Sequence, residues 1–302
     1  MLSAADKGVK PDIIGSASGS YVRRMAKVIT GILAADFKKY DEVFVGFAPQ
    51  LVIPLFCGKF RRYRKAGGNV TIDFFISVYD TLVNDRKKIK AGTLAAKFTA
   101  WLDRKTIMYA DRVIVDTKAD GRYFVEEFGM PKSKMQVLYL EADKSVYCPG
   151  KKKRQSSDGT VKTVVYFASM LPLQGADIVL KAAGLMKDDI NIRFEIIGPV
   201  KNKVIQDNIT YIDWLTQNEL ADAVADADLC LAGHFNADIG KASRTIPGKA
   251  YIYQAMEKPM ILGDNPANRE LFDESMPGIY FCRMGDADSL RCAIETALKG
   301  VN

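Results

Sequence analysis

The chain has 302 residues, of which 48% are hydrophobic, so it is long and apolar enough for two domains with sizeable cores. No apolar run approaches the length of a bilayer-spanning helix, and the N-terminus lacks the charged-then-apolar order of a signal peptide, so we expect a cytoplasmic protein. The net charge of +7 favours an anionic partner, but no nucleic-acid-binding motif accompanies it, and the five scattered cysteines form no zinc-binding pattern.

The first half of the chain alternates short apolar runs with amphipathic helical patterns. We predict strands at 11–15, 42–47, 111–117 and 135–140, and a long strand with its exit at 69–80. Helices are predicted between them at 22–33, 49–63, 93–109 and in a segment that ends at Gly129. A polar and basic stretch at 148–162 then has the composition of an interdomain linker.

The same alternation resumes in the second half. Strands are predicted at 163–168, 192–198, 209–214, 228–233, 259–263 and 278–282, with helices between them. This pattern predicts parallel sheets that are covered by helices on both faces. We therefore predict an α/β protein with two Rossmann-like domains, at 1–150 and 151–302, which face each other across a cleft. Ligands in such folds bind at the carboxyl ends of the strands.

Several segments of the second half occur in an order that is typical of one enzyme family. They are YFASMLPLQGADIVLKAA, FEIIG, YIDWLTQNELADAVADADLCLAG and RTIPGKAYIYQAMEKPMILGDNPANREL. With them, residues 163–298 resemble the donor-binding half of a retaining GT-B glycosyltransferase of family 4 (group 1). DFFISVYD, ADRVIVDT and YLEADKSVY make residues 42–147 more loosely similar to the acceptor half. The resemblance implies a nucleotide-diphosphate sugar as donor substrate, without a further cofactor or a metal ion.

The donor half departs from this family at its polar positions. The resemblance implies a Gly-Arg pair and a lysine that contact the nucleotide phosphates, but this chain has Ala168, Ser169 and Gln174 there. It also implies two glutamates eight positions apart, which are Arg244 and Ile252 here. Ile252 cannot accept a hydrogen bond from a ribose. The acids that follow in the sequence are interpreted as ordinary exposed carboxylates: Glu257, Asp264 and Glu270.

Some cation must still neutralise a diphosphate leaving group as the glycosidic bond breaks. Arg244 and Lys249 flank Pro247-Gly248, a turn that leads into a helix N-terminus, and this combination predicts an anion site. The alternative is that both are surface charges at the start of a helix. The predicted donor-binding residues are Ser169, Gln174, Gly198, Arg244, Ile246, Pro247, Gly248 and Lys249.

In the acceptor half, Asp80 follows a predicted strand, and Tyr79 stands where the family often has a histidine near the transferred sugar. We predict that Asp80 contacts sugar hydroxyls or the acceptor nucleophile, with Tyr79 beside it as the second catalytic residue. The alternative is that Asp80-Thr81 only caps the next helix. The single histidine, His234, follows a strand of the donor half, and a lone histidine is more often structural than catalytic.

Two runs concentrate the positive charge, KFRRYRK (59–65) and KKKR (151–154). KKKR lies in the predicted linker and is typical of a solvated surface. KFRRYRK follows the apolar LVIPLF, which fits a helix that rests on an anionic membrane. A basic solvated helix fits this segment equally well.

These features together predict a glycosyltransferase that moves a sugar from a nucleotide-diphosphate sugar to a glycan or lipid-linked acceptor. Its setting would be cell-surface polysaccharide or glycoconjugate synthesis, at the inner face of the cell membrane. The substituted donor positions also fit a catalytically silent GT-B-like subunit that binds a glycan or protein partner. A dinucleotide-dependent oxidoreductase is disfavoured, because neither half has a GxGxxG pattern. The sequence leaves the oligomeric state open.

Overall fold

The computed structural model describes residues 11–150 and 161–300, except Ser18 and Phe47. Its strands form two separate parallel sheets, one in each half of the described chain. This confirms the predicted α/β class with Rossmann-like units. Most of the predicted linker, with the KKKR run, lies outside the described residues, and the predicted domain boundary after residue 150 stays a prediction.

The first sheet has four strands in the order of the chain. They are β1 (Glu42–Val45), β2 (Asn69–Asp73), β3 (Arg112–Val115) and β4 (Met135–Val137). Val45 pairs with Ile72 across β1 and β2, and Ile72 pairs with Val113 across β2 and β3. The helices of this half are α1 (Tyr21–Ala34), α2 (Pro49–Val52), α3 (Cys57–Lys65), α4 (Leu94–Tyr109) and α5 (Lys118–Phe128), with a π-helical turn at Asp80–Asp85.

Three predictions in this half differ from the structure. The strand predicted at 11–15 is wrong, because residues 11–17 have no regular structure and Ile13 is 85% exposed. The helix predicted at 49–63 is divided into α2 and α3, since Pro54 lacks the amide that a continuous helix needs. The long strand predicted within 69–80 is short and ends at Asp73, and the rest of that range is the exit towards the π-helical turn.

The second sheet has six strands in the order β10-β9-β8-β5-β6-β7. They are β5 (Lys162–Phe167), β6 (Ile192–Ile197), β7 (Ile209–Ile212), β8 (Leu229–Gly233), β9 (Met260–Gly263) and β10 (Ile279–Cys282). The helices are α6 (Ala176–Leu185), α7 (Gln217–Asp226), α8 (Gly248–Ala255) and α9 (Ala287–Lys299). The chain winds outward from β5 to β7 and then returns to β8 beside β5. The direction of winding therefore reverses between β5 and β8, where such sheets form a ligand crevice.

Buried apolar side chains lie on both faces of the second sheet and within the first half. One of the clusters on the second sheet also includes Ala119 and Tyr147 from the N-terminal half, with Tyr139, Ala142 and Val146 packed against it. The segment that follows β4 therefore packs against the C-terminal sheet before the predicted boundary. In the part of the chain that the structure describes, none of the helices is long and apolar enough to cross a bilayer.

Candidate functional site

The loops after β5, β6 and β8 meet at the carboxyl edge of the second sheet. Gly198, just after β6, has φ of 137°, and a Cβ placed there would lie 2.0 Å from the Ala168 carbonyl oxygen. A Cβ on Gly175 would lie 2.8 Å from the Asn236 backbone nitrogen. Both glycines are thus required by contact between neighbouring loops. For Gly198 this contact explains the glycine without a bound phosphate.

The Lys249 side chain, from the first turn of α8, lies buried beside the ends of β5 and β8. It is 5% exposed, and its Nζ atom has no hydrogen-bond partner among the described residues. A Cβ placed on Gly233, the last residue of β8, would lie 3.3 Å from Lys249 Nζ and 3.4 Å from the Gln174 carbonyl oxygen. The amine therefore lies between the ends of β5 and β8, beside the loop from which the expected lysine is missing.

The surroundings of Lys249 are mainly aromatic. Its Nζ lies 4.5 Å from the ring centroid of Tyr166 and 5.8 Å from that of Phe167. Burial lowers the pKa of Lys249 from 10.5 to about 7. A buried, unpaired ammonium near neutral pH is costly unless an anion joins it, so this position favours an anionic ligand.

His234 lies under the same crevice and is 9% exposed. Its Nδ1 is 3.4 Å from the Thr245 hydroxyl. Burial and the nearby charge of Lys249 lower the pKa of His234 to about 3, so the ring is neutral at physiological pH. The structure thus gives His234 a packed, neutral position, in agreement with its structural interpretation.

Arg244 connects the two halves of the chain. Its Nη2 donates to Asp80 Oδ2 at 2.8 Å, and its Nη1 lies 3.6 Å from Asp120 Oδ1. The guanidinium carbon lies 3.5 Å from the ring centroid of Tyr123, within cation–π distance. Arg244 therefore has carboxylate partners already and differs from Lys249, although the two were predicted as one anion site.

Asp80 is 1% exposed and both of its carboxylate oxygens are engaged. Besides Arg244, it accepts a hydrogen bond from Asn84 Nδ2 at 3.0 Å. Tyr79 packs edge-on against Phe128 in the N-terminal core, with ring centroids 6.2 Å apart. The structure thus brings Asp80 to Arg244 in the cleft, and it places the Tyr79 ring against the core. Their catalytic roles stay predictions.

Two further buried carboxylates accompany Asp80, both near the start of α5. Burial raises the pKa of Asp116 to about 6. Burial and the neighbouring Asp116 raise the pKa of Asp120 well above its usual value, against the opposing charges of Arg244 and Lys241. Burial and the proximity of the two carboxyls thus disfavour the charged forms of Asp116 and Asp120.

Thr117 and Glu270 are interface residues that the sequence did not reveal. The Thr117 hydroxyl caps α5 by accepting from the Asp120 amide at 2.9 Å, and it also donates to the Arg244 carbonyl oxygen. Glu270 accepts from the amides of Lys118 and Ala119, both at 2.8 Å. The prediction that Glu270 is an ordinary exposed carboxylate is therefore wrong. Glu270 accepts hydrogen bonds from the free amides at the start of α5, which lie far away in the sequence.

The remaining predicted donor residues lie along the crevice in different ways. Ser169 is exposed and its hydroxyl donates to Gln174 Oε1 at 3.4 Å, while the same oxygen accepts from the Leu171 amide. Gln174 therefore shapes the loop in which it lies. Pro247 is the N-cap of α8, and Gly248 begins the helix with no atom within 4 Å of an added Cβ. The side of the helix at Gly248 is therefore open to solvent.

Ile246 and Ile252 both pack into the core of the second half. Ile246 is 4% exposed, so its side chain supports the turn and is not available to a ligand. Ile252 is half-buried against the same core. At position 252, where the family resemblance implies a glutamate, the structure has an apolar packing contact.

A small cavity of about 130 Å³ opens at the carboxyl ends of β1 and β2. It is lined by Ala48, Pro49, Asp73, Phe75 and Ile76. Ala48 has φ of 54°, a strained value for a residue with a side chain, and Met170 in the loop after β5 has φ of 57°. Both strained residues follow the first strand of their sheet. Among the described residues, no group of three or more acids, histidines or cysteines has the arrangement of a metal site.

Comparison with protein families gives a match to the C-terminal half of the chain. Residues 161–300 match the family described as "Glycosyl transferases group 1". Among curated proteins, no sequence matches the chain significantly.

Solved structures of similar shape cover nearly the whole chain. Sucrose-phosphate synthase from Thermosynechococcus elongatus has a TM-score of 0.66 at 11% identity and covers 92% of this chain and 68% of its own. Anabaena HepE, solved in complex with UDP, has a TM-score of 0.64 at 14% identity, with coverages of 91% and 72%. WaaG, a glycosyltransferase of lipopolysaccharide biosynthesis, has a TM-score of 0.58 at 12% identity, with coverages of 96% and 80%. Residues 161–300 thus match the group 1 glycosyltransferase family, in a chain that has the GT-B fold.

Proposed function

We propose that the protein is a sugar-nucleotide-dependent glycosyltransferase that acts by a retaining, metal-independent mechanism. The group 1 domain at 161–300 and the GT-B fold support this proposal, as does the similarity to HepE, which was solved with UDP. The acceptor is a glycan or a lipid-linked glycan, which approaches from the N-terminal half. The setting is cell-surface polysaccharide or glycoconjugate synthesis.

The observation that carries the proposal is the position of Lys249. Its amine is buried and unpaired among the described residues, and it lies at the switch point between β5 and β8. It also belongs to the first turn of α8, whose N-terminus supplies backbone amides and a positive partial charge. Gly248, the first residue of the helix, is exposed and has no atom within 4 Å of its Cβ position, which leaves room for a ligand beside this turn. A lysine and a helix N-terminus are a suitable pair for a diphosphate.

In the reaction, the bond between the sugar and the diphosphate breaks, and negative charge grows on the leaving diphosphate. Lys249 and the α8 amides stabilise this charge, as a metal ion does in other transferases. Arg244 has a different role in this proposal, because Asp80 and Asp120 already balance its charge. It holds Asp80 at the cleft, near the path of the acceptor.

Thermal-shift screening with UDP-, GDP-, ADP- and dTDP-sugars tests the proposal directly. We expect at least one to raise the Tm of the protein, because a ligand that binds only the folded state stabilises it. Lys249→Met should abolish the shift, since Met keeps much of the volume without the charge. Lys181→Met, on the exposed face of α6, is the matched control and should leave the shift unchanged. Failure of every sugar nucleotide at millimolar concentration would refute the proposal.

The Asp80–Arg244 contact favours a second candidate, a catalytically silent GT-B-like subunit. Both side chains were predicted to serve the substrates, yet they satisfy each other. In a silent subunit this contact between the two halves would be permanent and would leave neither side chain available to a substrate. It would show no thermal shift with any sugar nucleotide, and Lys249→Met would change no binding property.

A further inference from the structure

Helix α4 buries three polar residues beside Ala96, Ile107 and Tyr109, and it exposes large apolar residues on its outer face. Thr99, Asp103 and Thr106 are 6%, 0% and 0% exposed, respectively. The outward stripe is apolar and exposed at 84%, 59%, 48% and 59% for Leu94, Phe98, Trp101 and Met108. Exposed apolar stripes of this size mark interaction surfaces.

The buried polar face of α4 is fully accounted for by hydrogen bonds. Asp103 accepts from the Ser77 hydroxyl at 2.7 Å, the Tyr79 amide at 2.8 Å and Gln50 Nε2 at 3.0 Å. These bonds fix the rotation of the helix about its axis. The outward direction of the aromatic side chains is therefore a stable property of the fold.

Phe98 and Trp101 form a stacked pair on the exposed face. Their ring centroids are 5.7 Å apart and their planes differ by 24°. The pair lies one turn after Leu94 and two turns before Met108, with Lys105 on the same face between Trp101 and Met108. Trp in such a position is typical of side chains that lie at the boundary between water and lipid.

The charge that α4 and the segment before it contribute is of one sign, although Glu126 and Glu127 of α5 lie beside Arg104 and Met108 at the C-terminal end of the stripe. Residues 86–109 contain seven cations and a single acid, Asp103, which is buried under the helix. The cations are Arg86, Lys87, Lys88, Lys90, Lys97, Arg104 and Lys105. Neither α4 nor the segment before it presents an exposed carboxylate, so the surface complements an anionic partner.

Helix α3, by contrast, uses several of its cations inside the N-terminal half. Lys59 donates to carbonyl oxygens at the end of α1, Arg61 donates to the Tyr109 hydroxyl, and Arg64 pairs with Asp111. The KFRRYRK run therefore supplies less free charge than its sequence suggests. The positive surface beside exposed aromatic residues belongs to α4.

We propose that α4 lies in the plane of an anionic bilayer and anchors the N-terminal half to it. The Phe98–Trp101 pair enters the boundary between headgroups and acyl chains, while the exposed Lys97 extends towards lipid phosphates. Arg104 is held in place by its bond to the Glu127 carbonyl oxygen, and Lys105 lies over the Tyr109 ring. The lysines at 87–90 add attraction to the negative surface. A flat bilayer matches the straight apolar face from Leu94 to Trp101, with the cations of residues 86–97 before and beside it. This inference does not depend on the transferase activity.

The two tryptophans of the chain allow a direct test, because Trp101 lies in α4 and Trp214 lies exposed in the other half. The Trp214→Phe protein should show a blue-shifted emission with vesicles that contain phosphatidylglycerol, and brominated lipid should quench it. The Trp101→Phe protein, which reports on Trp214, should show neither change. Quenching of Trp214 alone, or of neither residue, would overturn the proposal.

Cosedimentation with the same vesicles measures the contribution of the stripe. Phe98→Gln with Trp101→Gln should weaken partitioning at least about tenfold. Ile190→Gln with Ile205→Gln, two exposed positions of the other half, is the matched control and should leave it unchanged. Circular dichroism verifies folding of each variant. Equal binding to pure phosphatidylcholine, or a dimer that dissociates in the α4 variant without vesicle binding, would contradict an anionic membrane as the partner.

Discussion

Arg244 Nη2 and Asp80 Oδ2 lie 2.8 Å apart and join the two halves of the chain across 164 positions of sequence. The side chains of Arg244 and Asp80 are only 14% and 2% exposed, so water screens the pair weakly. Around it, Tyr123 covers the guanidinium and Asp120 approaches its other nitrogen. The contact is thus the centre of a buried interface between the halves.

Loss of Arg244 should destabilise the protein strongly. Arg244→Ala leaves Asp80 and Asp120 buried without their cation, which typically costs about 3–5 kcal/mol. We expect the Tm to fall by about 6–10 °C at pH 7.5. Arg283→Ala, which removes an exposed arginine from a surface pair, should leave the Tm unchanged. A Tm of Arg244→Ala equal to that of Arg283→Ala would show that the pair does not hold the halves together.

Lys249 should make stability depend on pH in the alkaline range. Its pKa is about 7 in the folded protein and 10.5 in the unfolded chain, so the unfolded state binds more protons between these values. Stability contributed by this group therefore rises with pH over that window. From pH 7 to 9 we expect the free energy of unfolding to rise by about 2 kcal/mol more in the native protein than in Lys249→Met. Urea titrations of both proteins at each pH measure this difference. If the free energy of unfolding depends on pH in the same way in both proteins, the amine is not buried.

Donor binding should be linked to proton uptake at Lys249. The ammonium form binds the diphosphate, so above pH 7 the amine must first take a proton. Affinity should fall by up to about tenfold per pH unit between pH 7 and 9. Isothermal titration in HEPES and Tris buffers at pH 8 should show nearly one proton taken up per sugar nucleotide. Binding without proton uptake would mean that Lys249 is charged already or does not contact the phosphates.

Neutralisation of Asp116 should stabilise the fold. The pKa of Asp116 is about 6 in the folded protein and 3.8 in the unfolded chain, so the folded state binds more protons between these values. The free energy of unfolding therefore falls as the pH rises from 3.8 to 6, and above pH 6 the charged Asp116 destabilises the fold. Asp116→Asn removes the costly charge and keeps the side-chain volume. We expect a gain of about 1–3 kcal/mol at pH 7.5 and none at pH 4. Asp189→Asn, on an exposed turn, serves as the control for a change in net charge.

The positions of helices and strands were largely predictable, because they depend on local periodicity. The Thr216–Glu219 capping box and the positive φ of Gly129 at the end of α5 both follow from residue type and spacing. The strand predicted at 11–15 is wrong because strand formation depends on distant pairing and not only on local periodicity. An apolar run becomes a strand only beside a partner, and residues 11–17 lie outside the first sheet.

The site was predictable in part. Family resemblance directed attention to the turn at 244–249, but it could not separate Lys249, which is buried at the crevice, from Arg244, which is paired with Asp80. The partners of Arg244 come from α5 and the turn after β2, more than 100 positions away. Glu270 was missed for the same reason, since its target amides at Lys118 and Ala119 belong to the other half. Contacts between distant segments leave no spacing pattern in a single sequence.

The two sheets differ in how their strands are wound, and this difference has a consequence for ligand stoichiometry. The first sheet follows the order of the chain without a reversal among its described strands, whereas the second reverses between β5 and β8. Only a reversal separates adjacent loops enough to open a nucleotide crevice. The molecule is therefore asymmetric despite its two similar halves. A nucleotide titration should saturate at one equivalent per chain, leaving the N-terminal half to substrates that carry no nucleotide.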